Sequence, residues 1–246
     1  MDENRPTPRV SIVVPVRNEA ENILPLVEEI ERACATLAPF EVIYVDDGSG
    51  DATPAELARA RADRPWLRTM RHQASCGQSA AVRTGVRAAR APLVATLDGD
   101  GQNDPAFIPQ LVAALEAGGE TIALVAGQRV GRRDGASKKW QSRVANGVRK
   151  RILKDGTRDT GCGLKVFRRD VYLALPYFDA LHRFMPALVK REGYQVAHVD
   201  VVDRSRHAGR SNYGMFDRLW VGLLDLAGVW WLIRRRRRVP QVSEVP

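Results

Sequence analysis

The stretch 97–105, Leu-Asp-Gly-Asp-Gly-Gln-Asn-Asp-Pro, holds two carboxylates one residue apart, Asp98 and Asp100, with glycine between and after them. It follows Ala-Pro-Leu-Val-Ala at 91–95, a short apolar run that reads as a buried strand. Like charges this close repel unless something positive lies between them. A hard divalent cation such as Mg²⁺ or Mn²⁺ meets that need, since it prefers oxygen ligands and commonly takes substrate phosphates too. Gly99 and Gly101 leave room for a diphosphate to approach the backbone. A second acidic pair, Asp46 and Asp47, closes the apolar run 40–45. In open α/β sheets ligands bind beyond the carboxyl ends of the strands, which is where both pairs fall. A lone Asp-x-Asp is commonly a solvated turn; the flanking strand and the second acidic strand end favour a site.

These carboxylates need a frame. Residues 10–14, Val-Ser-Ile-Val-Val, read as a first strand. Asn18 is placed to cap the next helix with Glu21 in a capping box, and that helix is expected to run to about residue 37. Thr53-Pro-Ala-Glu56 opens another helix with a cap, a first-turn proline and a glutamate three residues on. Further strands are expected at 66–70, 92–97 and 121–126, and helices at 77–89 and 105–117. This alternation predicts an α/β fold, a mostly parallel sheet with helices on both faces. The second half is less regular. It reads as a basic helix over 137–153, a short strand at 166–167, a helix over 180–192, a strand over 194–202 and an aromatic and aliphatic stretch over 215–233.

With 246 residues, 44% hydrophobic and 27% charged, the chain suits one globular domain, alone or with an appendage, and is neither disordered nor collagen-like. Cys34, Cys76 and Cys162 are scattered and the four histidines are not at ligand spacing, so neither a disulfide framework nor a zinc site is expected. The polar amino terminus reads as lacking a secretory signal, and the cysteine usage as a reducing, cytoplasmic setting. The net charge of +9 is unevenly placed: 138–154 is basic, and 234–238 is an unbroken arginine run. Such blocks bind nucleic acid, anionic lipid or phosphorylated ligands, or are simply solvated. Aromatics are not interleaved with them in a stacking motif, so no nucleic-acid partner is expected.

In their order and spacing, these motifs resemble family 2 glycosyltransferases of the GT-A fold. The nearest match is the branch that makes polyprenyl-phosphate sugars, the dolichyl-phosphate mannose synthase type. Val-Val-Pro-Val-Arg-Asn-Glu at 13–19 resembles its first-strand motif and Val-Asp-Asp-Gly-Ser at 45–49 its second-strand motif. Residues 80–85 resemble its Ala-x-x-x-Gly helix, and 97–105 its metal motif. The resemblance implies a nucleotide site at Pro15, Arg17, Glu19, Asp46 and Gln78, with Asp46 holding the base. It places a cation, Mg²⁺ or Mn²⁺, on Asp100 and Gln102, with Asp98 facing the nucleotide and helping to hold the metal site. The implied donor is a UDP- or GDP-linked sugar.

The recipient of the sugar is a separate question. A hydroxyl is a poor nucleophile and needs a general base, usually a carboxylate. A lipid phosphate, with a second pKa of about 6, is already largely dianionic at neutral pH. It needs cations that hold it in line with the anomeric carbon. Gly-Gln-Arg-Val at 127–130 resembles the lipid-phosphate branch's arginine-bearing motif, and Lys138 and Ser142 its basic-residue-then-serine pair, with lysine where that branch carries arginine. Asp-Thr-Gly-Cys-Gly at 159–163 resembles its Asp-Thr/Tyr-x-Gly loop, and 206–211 its Arg-x-x-Gly-x-Ser motif. The resemblance thus implies Arg129, Lys138, Ser142 and Arg206 as acceptor-phosphate ligands. Asp98, Asp100, Arg129 and Asp159 form the implied catalytic centre of a single inverting displacement. The rival reading is a soluble family 2 enzyme in which Asp159 is the base for a hydroxyl acceptor in glycan or lipopolysaccharide assembly.

The apolar segment 219–233 is shorter than the roughly 20 residues that span a bilayer, and Asp225 near its middle would be costly there. Trp220, Trp230 and Trp231 favour a bilayer interface, and the arginine run suits anionic head groups. The expected organisation is a catalytic domain over 1–212, then an amphipathic interfacial helix and polybasic tail over 213–246, attached peripherally to the inner face of the cell membrane. The other reading packs this helix on the domain or on a second copy of the chain.

Overall fold

The computed structural model describes residues 6–130, 151–153, 155–204 and 217–235. Most of the expected basic helix, with Lys138 and Ser142, lies outside these residues, as do Arg206 with its motif and the last arginines of the tail.

Alternation of β-branched residues builds the first strands. In β1 (Val10–Val16) and β2 (Phe40–Asp46), Val10, Ile12, Val14, Val42 and Tyr44 turn to one apolar cluster, while Val13, Ile43 and Val45 turn to another. A strand buried on both faces has to read as a nearly continuous apolar run, and these do. The remaining strands are β3 (Leu67–Arg71), β4 (Leu93–Thr96), β5 (Ile122–Val130), β6 (Lys165–Arg168) and β7 (Gln195–Val202), in the sheet order β3-β2-β1-β4-β6-β5-β7. All neighbouring pairs are parallel except those of β6, which runs against both β4 and β5. The mostly parallel sheet expected from the alternation is therefore present, with one reversed strand that no local pattern announces.

Helices α1 (Ala20–Cys34) and α4 (Ile108–Ala117) cover the first face. On α1, Ile23, Leu26, Val27, Ile30 and Cys34 recur at helical spacing and are all buried. Helix α2 (Thr53–Arg61) packs beside α1. The opposite face carries α3 (Gln78–Ala88), α5 (Arg169–Ala174) and α6 (Leu181–Arg191). Gly85 of α3 meets β1 so closely that a Cβ there would sit 2.4 Å from a Val13 methyl. Helix α7 (Asp217–Arg235) packs on α6, burying Val229, and Arg191 Nε donates to the Leu232 carbonyl at 3.1 Å. No helix among the described residues is long and apolar enough to cross a membrane.

Two expected caps are replaced by tertiary contacts. Asn18 has φ 56° and lies before the helix; its Oδ1 accepts from Gly50 N and its own N–H donates to Ser49 Oγ, tying β1 to the loop after β2. Thr53 Oγ1 accepts from Glu19 N instead of capping α2, and Asp51 Oδ1 accepts from Thr53 N. A partner across the sheet edge outcompetes the local capping rule in both cases.

The Tyr44 hydroxyl is buried without a hydrogen-bond partner, and burial pushes its pKa well above the usual tyrosine range. Removing a buried, unpaired hydroxyl relieves about 1 kcal/mol of desolvation cost. Tyr44→Phe is expected to raise the thermal midpoint by about 2–4 °C, measured by calorimetry.

Candidate active site

Because β1, β2, β4, β5 and β7 run the same way, their carboxyl ends share one edge of the sheet, and reversed β6 brings its beginning there. Val16 of β1 pairs with Asp46 of β2, Thr96 of β4 lies beside Val13, and Lys165 opens β6 opposite Thr96. The loops leaving these strands form one cleft, lined among others by Gln78, Asp98, Arg129, Asp159, His182 and Arg183.

The acidic turn is held from several sides. Gln78 Nε2, at the start of α3, donates to Asp98 Oδ1 at 2.7 Å. Asp98 N donates to Asn103 Oδ1, and Gln102 N donates to Asp100 Oδ1. Gly99 packs so tightly on β1 that a Cβ would lie 2.4 Å from a Val16 methyl. Gly163 faces the turn from across the cleft, where a Cβ would lie 2.4 Å from the Asp98 carboxyl carbon. Burial, then the like charge of Asp100, pushes Asp98 up to about 6, with Lys165, Arg129 and the Gln78 hydrogen bond opposing. Lys165 is 3% exposed; its Nζ donates to the Cys162 carbonyl and burial lowers its pKa. A buried lysine thus supplies part of the positive charge that the two carboxylates need. All-oxygen donors from Asp98, Asp100 and Gln102, short of positive charge, suit a hard divalent ion.

The second acidic pair divides its labour. Asp46 Oδ1 accepts from Ser49 N, and Arg71 Nε lies 3.2 Å from Oδ2 without hydrogen-bond geometry. Burial alone would raise Asp47, but four donors more than offset it and hold its carboxyl below the usual range. His72 Nδ1 and Cys76 N reach Oδ1, while Ser75 Oγ and Gly77 N reach Oδ2. Asp47, His72 and Cys76 lie close enough to share an ion. Both carboxylate oxygens are already taken and the second His72 nitrogen pairs with Thr84, so the trio reads as a brace for the turn 72–77. Gly48, at φ +69°, has the backbone of that turn 2.8 Å from where a Cβ would be. Pro15, the residue before the last of β1, pairs with Val45, Glu19 Oε2 accepts from Asn22, and Arg17 is exposed at the edge.

Arg129 leaves the end of β5 into the same cleft, but most of its donors are spent on carboxylates. Nε and one terminal nitrogen form a fork on Asp159 at 2.5 and 3.0 Å, and the other reaches Asp203 at 3.2 Å. Burial opposes the charge on Arg129, and these partners more than restore it, raising its pKa. The expected phosphate ligand Arg129 therefore has a structural partner set of its own. It first joins the loop 155–163 to the segment after β7. Asp159 is likewise occupied: both its oxygens receive the fork, and Oδ1 also accepts from Gly161 N.

Four further residues escape sequence reasoning. Asp203 follows β7, so the strand-end rule could have found it. Lys165 reads locally as an exposed strand residue, yet it is buried. His182 and Arg183 lie in the first turn of α6, and no motif marks them. His182 Nδ1 pairs with Ser79 Oγ at 2.8 Å. Burial, with Lys165 and Arg183 nearby, pulls the imidazole down to about 3, so it is neutral at physiological pH.

A raised carboxyl pKa means that the folded chain holds the Asp98 proton more tightly than the unfolded chain, whose value is 3.8. That contribution to stability is fully present below about pH 4 and is lost as pH rises through about 6. Metal-free Asp98→Asn is expected to melt a few degrees above wild type at pH 7.5, with the gap closing near pH 4. Adding Mn²⁺ is expected to stabilise wild type more than the variant in the same melts.

Comparison with known proteins agrees with this geometry. The family model for "Glycosyl transferase family 2" matches residues 11–175. Dodecaprenyl-phosphate galacturonate synthase of Rhizobium johnstonii is 37% identical over 235 residues, 93% of this chain and 68% of that protein. Undecaprenyl-phosphate 4-deoxy-4-formamido-L-arabinose transferase of Yersinia enterocolitica is 34% identical over 218 residues, 87% of this chain and 65% of that protein. The chain thus spans about two thirds of the length of these relatives. Among solved structures, glucosyl-3-phosphoglycerate synthase from Mycobacterium tuberculosis, bound to Mn²⁺, UDP and glucosyl-3-phosphoglycerate, aligns with a TM-score of 0.68 at 19% identity, covering 95% of this chain and 81% of that one. A mannosyltransferase from Pyrobaculum calidifontis, bound to GDP-Man and Mn²⁺, aligns at 0.66 and 20% identity, covering 96% and 66%. An acidic turn at the carboxyl edge of a GT-A sheet, and a family match across two thirds of the sequence, lead to one conclusion: this chain belongs to glycosyl transferase family 2.

Proposed function

We propose that this enzyme moves a sugar from a nucleoside-diphosphate donor to a polyprenyl phosphate in a single inverting displacement. The observation that carries the choice of recipient is the state of Asp159. A hydroxyl acceptor needs a carboxylate free to take its proton. Asp159 is instead held by the Arg129 fork and Gly161 N. An acceptor phosphate brings its own anionic oxygen and needs no base. Two relatives named for dodecaprenyl-phosphate and undecaprenyl-phosphate chemistry support the same reading.

In this reading Pro15, Arg17 and Glu19 line the nucleotide, Asp46 accepts from its base, and Gln78 fixes the rotamer of Asp98. Asp98, Asp100 and Gln102 would hold Mg²⁺ or Mn²⁺, which when bound offsets the charge that develops on the leaving diphosphate. Arg129 fixes the loop that walls the cleft, and its remaining N–H groups, with Lys138, Ser142 and Arg206, orient the acceptor phosphate. Residues 213–246 associate with an anionic membrane surface on its cytoplasmic face. In support, Leu223, Leu224, Trp230 and Trp231 of α7 are exposed, and Arg234 and Arg235 lie over the two tryptophan rings at 4.4 and 5.8 Å.

Incubation with a panel of labelled UDP- and GDP-sugars, Mn²⁺ and a short polyprenyl phosphate is expected to carry label into an organic extract. The matching prenyl alcohol is expected to remain unlabelled; preferential labelling of the alcohol would overturn the reading. Asp100→Asn is expected to lower turnover at least 100-fold. Co-sedimentation with phosphatidylglycerol vesicles is expected to exceed that with phosphatidylcholine, to fall at 1 M salt, and to drop in Leu224→Glu and Trp231→Glu.

A further inference from the structure

Resting on that reading, we infer that Arg183 is a contact for the acceptor phosphate and marks the side of the cleft from which the lipid enters. Charge counting leads to it. Arg129 is ion-paired with two carboxylates, Asp159 and Asp203, which leaves few of its N–H groups for a ligand. Lys165 is buried beneath Asp98, with its ammonium on the Cys162 carbonyl. His182 is neutral. Among the described residues lining the cleft, Arg183 is the one cation without an ion-pair or hydrogen-bond partner, and it is exposed. A phosphate dianion entering the cleft is therefore drawn to Arg183, whose planar fork can take two of its oxygens.

The neighbouring helix supplies a path for the lipid. Arg183 lies within electrostatic reach of Asp225 on α7, and eight residues further along α6, Arg191 bonds the carbonyl of Leu232. The two helices therefore run side by side in the same direction, with the part of α7 near residue 225 at the cleft end of α6. Leu223 and Leu224, 48% and 73% exposed, lie at that same end. A prenyl chain whose phosphate sits on Arg183 leaves the cleft across these leucines.

The test uses farnesyl phosphate as the probe, with farnesol and inorganic phosphate as separate arms, titrated calorimetrically into the whole chain. Wild type is expected to bind farnesyl phosphate, inorganic phosphate more weakly, and farnesol least. Arg183→Gln is expected to weaken farnesyl phosphate binding about tenfold or more, and Arg183→Lys by less. Melting shifts with Mn²⁺ plus UDP and Mn²⁺ plus GDP are expected to match wild type, which separates loss of the acceptor contact from damage to the donor site. Equal farnesyl phosphate affinity in wild type and Arg183→Gln would overturn the assignment alone. A wild-type chain indifferent to farnesyl phosphate would overturn the acceptor reading and the assignment together.

Discussion

The site rests on a repulsion. Asp98 and Asp100 close one strand within two residues of each other, Asp100 is buried, and the burial that shapes the cleft also makes their charges costly. The chain holds them together by surrounding them with donors and positive charge. Gln78 donates to Asp98, the buried Lys165 acts on it through its charge, and Asn103 accepts from the Asp98 N–H. The close approaches at Gly99 and Gly163 leave the turn nowhere to relax. A carboxylate pair that is costly on its own is the kind of group whose burden a divalent ion would relieve most.

The other side of the cleft is assembled by ion pairs between segments distant in sequence. Arg129, Asp159 and Asp203 belong to β5, the loop before β6 and the segment after β7. Asn103 bridges to Asp203, and Arg204 reaches Asp104 and Glu29, so the same segment also buttresses the acidic turn and α1. Gln128, 1% exposed, accepts from the N–H groups of Arg158 and Asp159 and sets the height of that loop. The arginine expected at the acceptor phosphate thus also fastens these segments together.

Much of the frame around the two acidic turns was legible in the sequence because it depends on local regularities. Short, nearly continuous apolar runs identify β1, β2 and β4, and acidic residues directly after such runs fall at the ligand edge of a parallel sheet. The three motifs around Pro15, Asp46 and Asp98 needed no knowledge of distant contacts. What escaped depends on pairing across the fold. Asn18 looks like a helix cap, but Ser49 and Gly50 claim it. Lys165 looks like a surface lysine, but β6 sits between two other strands and buries it. Nothing local encodes the direction in which β6 runs, and that direction puts Lys165 under Asp98. Arg183 is one charge in the first turn of an amphipathic helix, and its lack of an ion-pair or hydrogen-bond partner among the described residues appears only once the helix is docked.

The reversed strand has a consequence for how this architecture diversifies. Among the described residues, 10–104 supply one rim of the cleft and 122–204 the other, with β6 entering the sheet head first between them. The two rims are nearly separable cassettes, joined in the middle of the sheet. Any exchange of the second cassette would have to bring along the ammonium at 165, because the first cassette carries an anionic turn that it does not neutralise by itself.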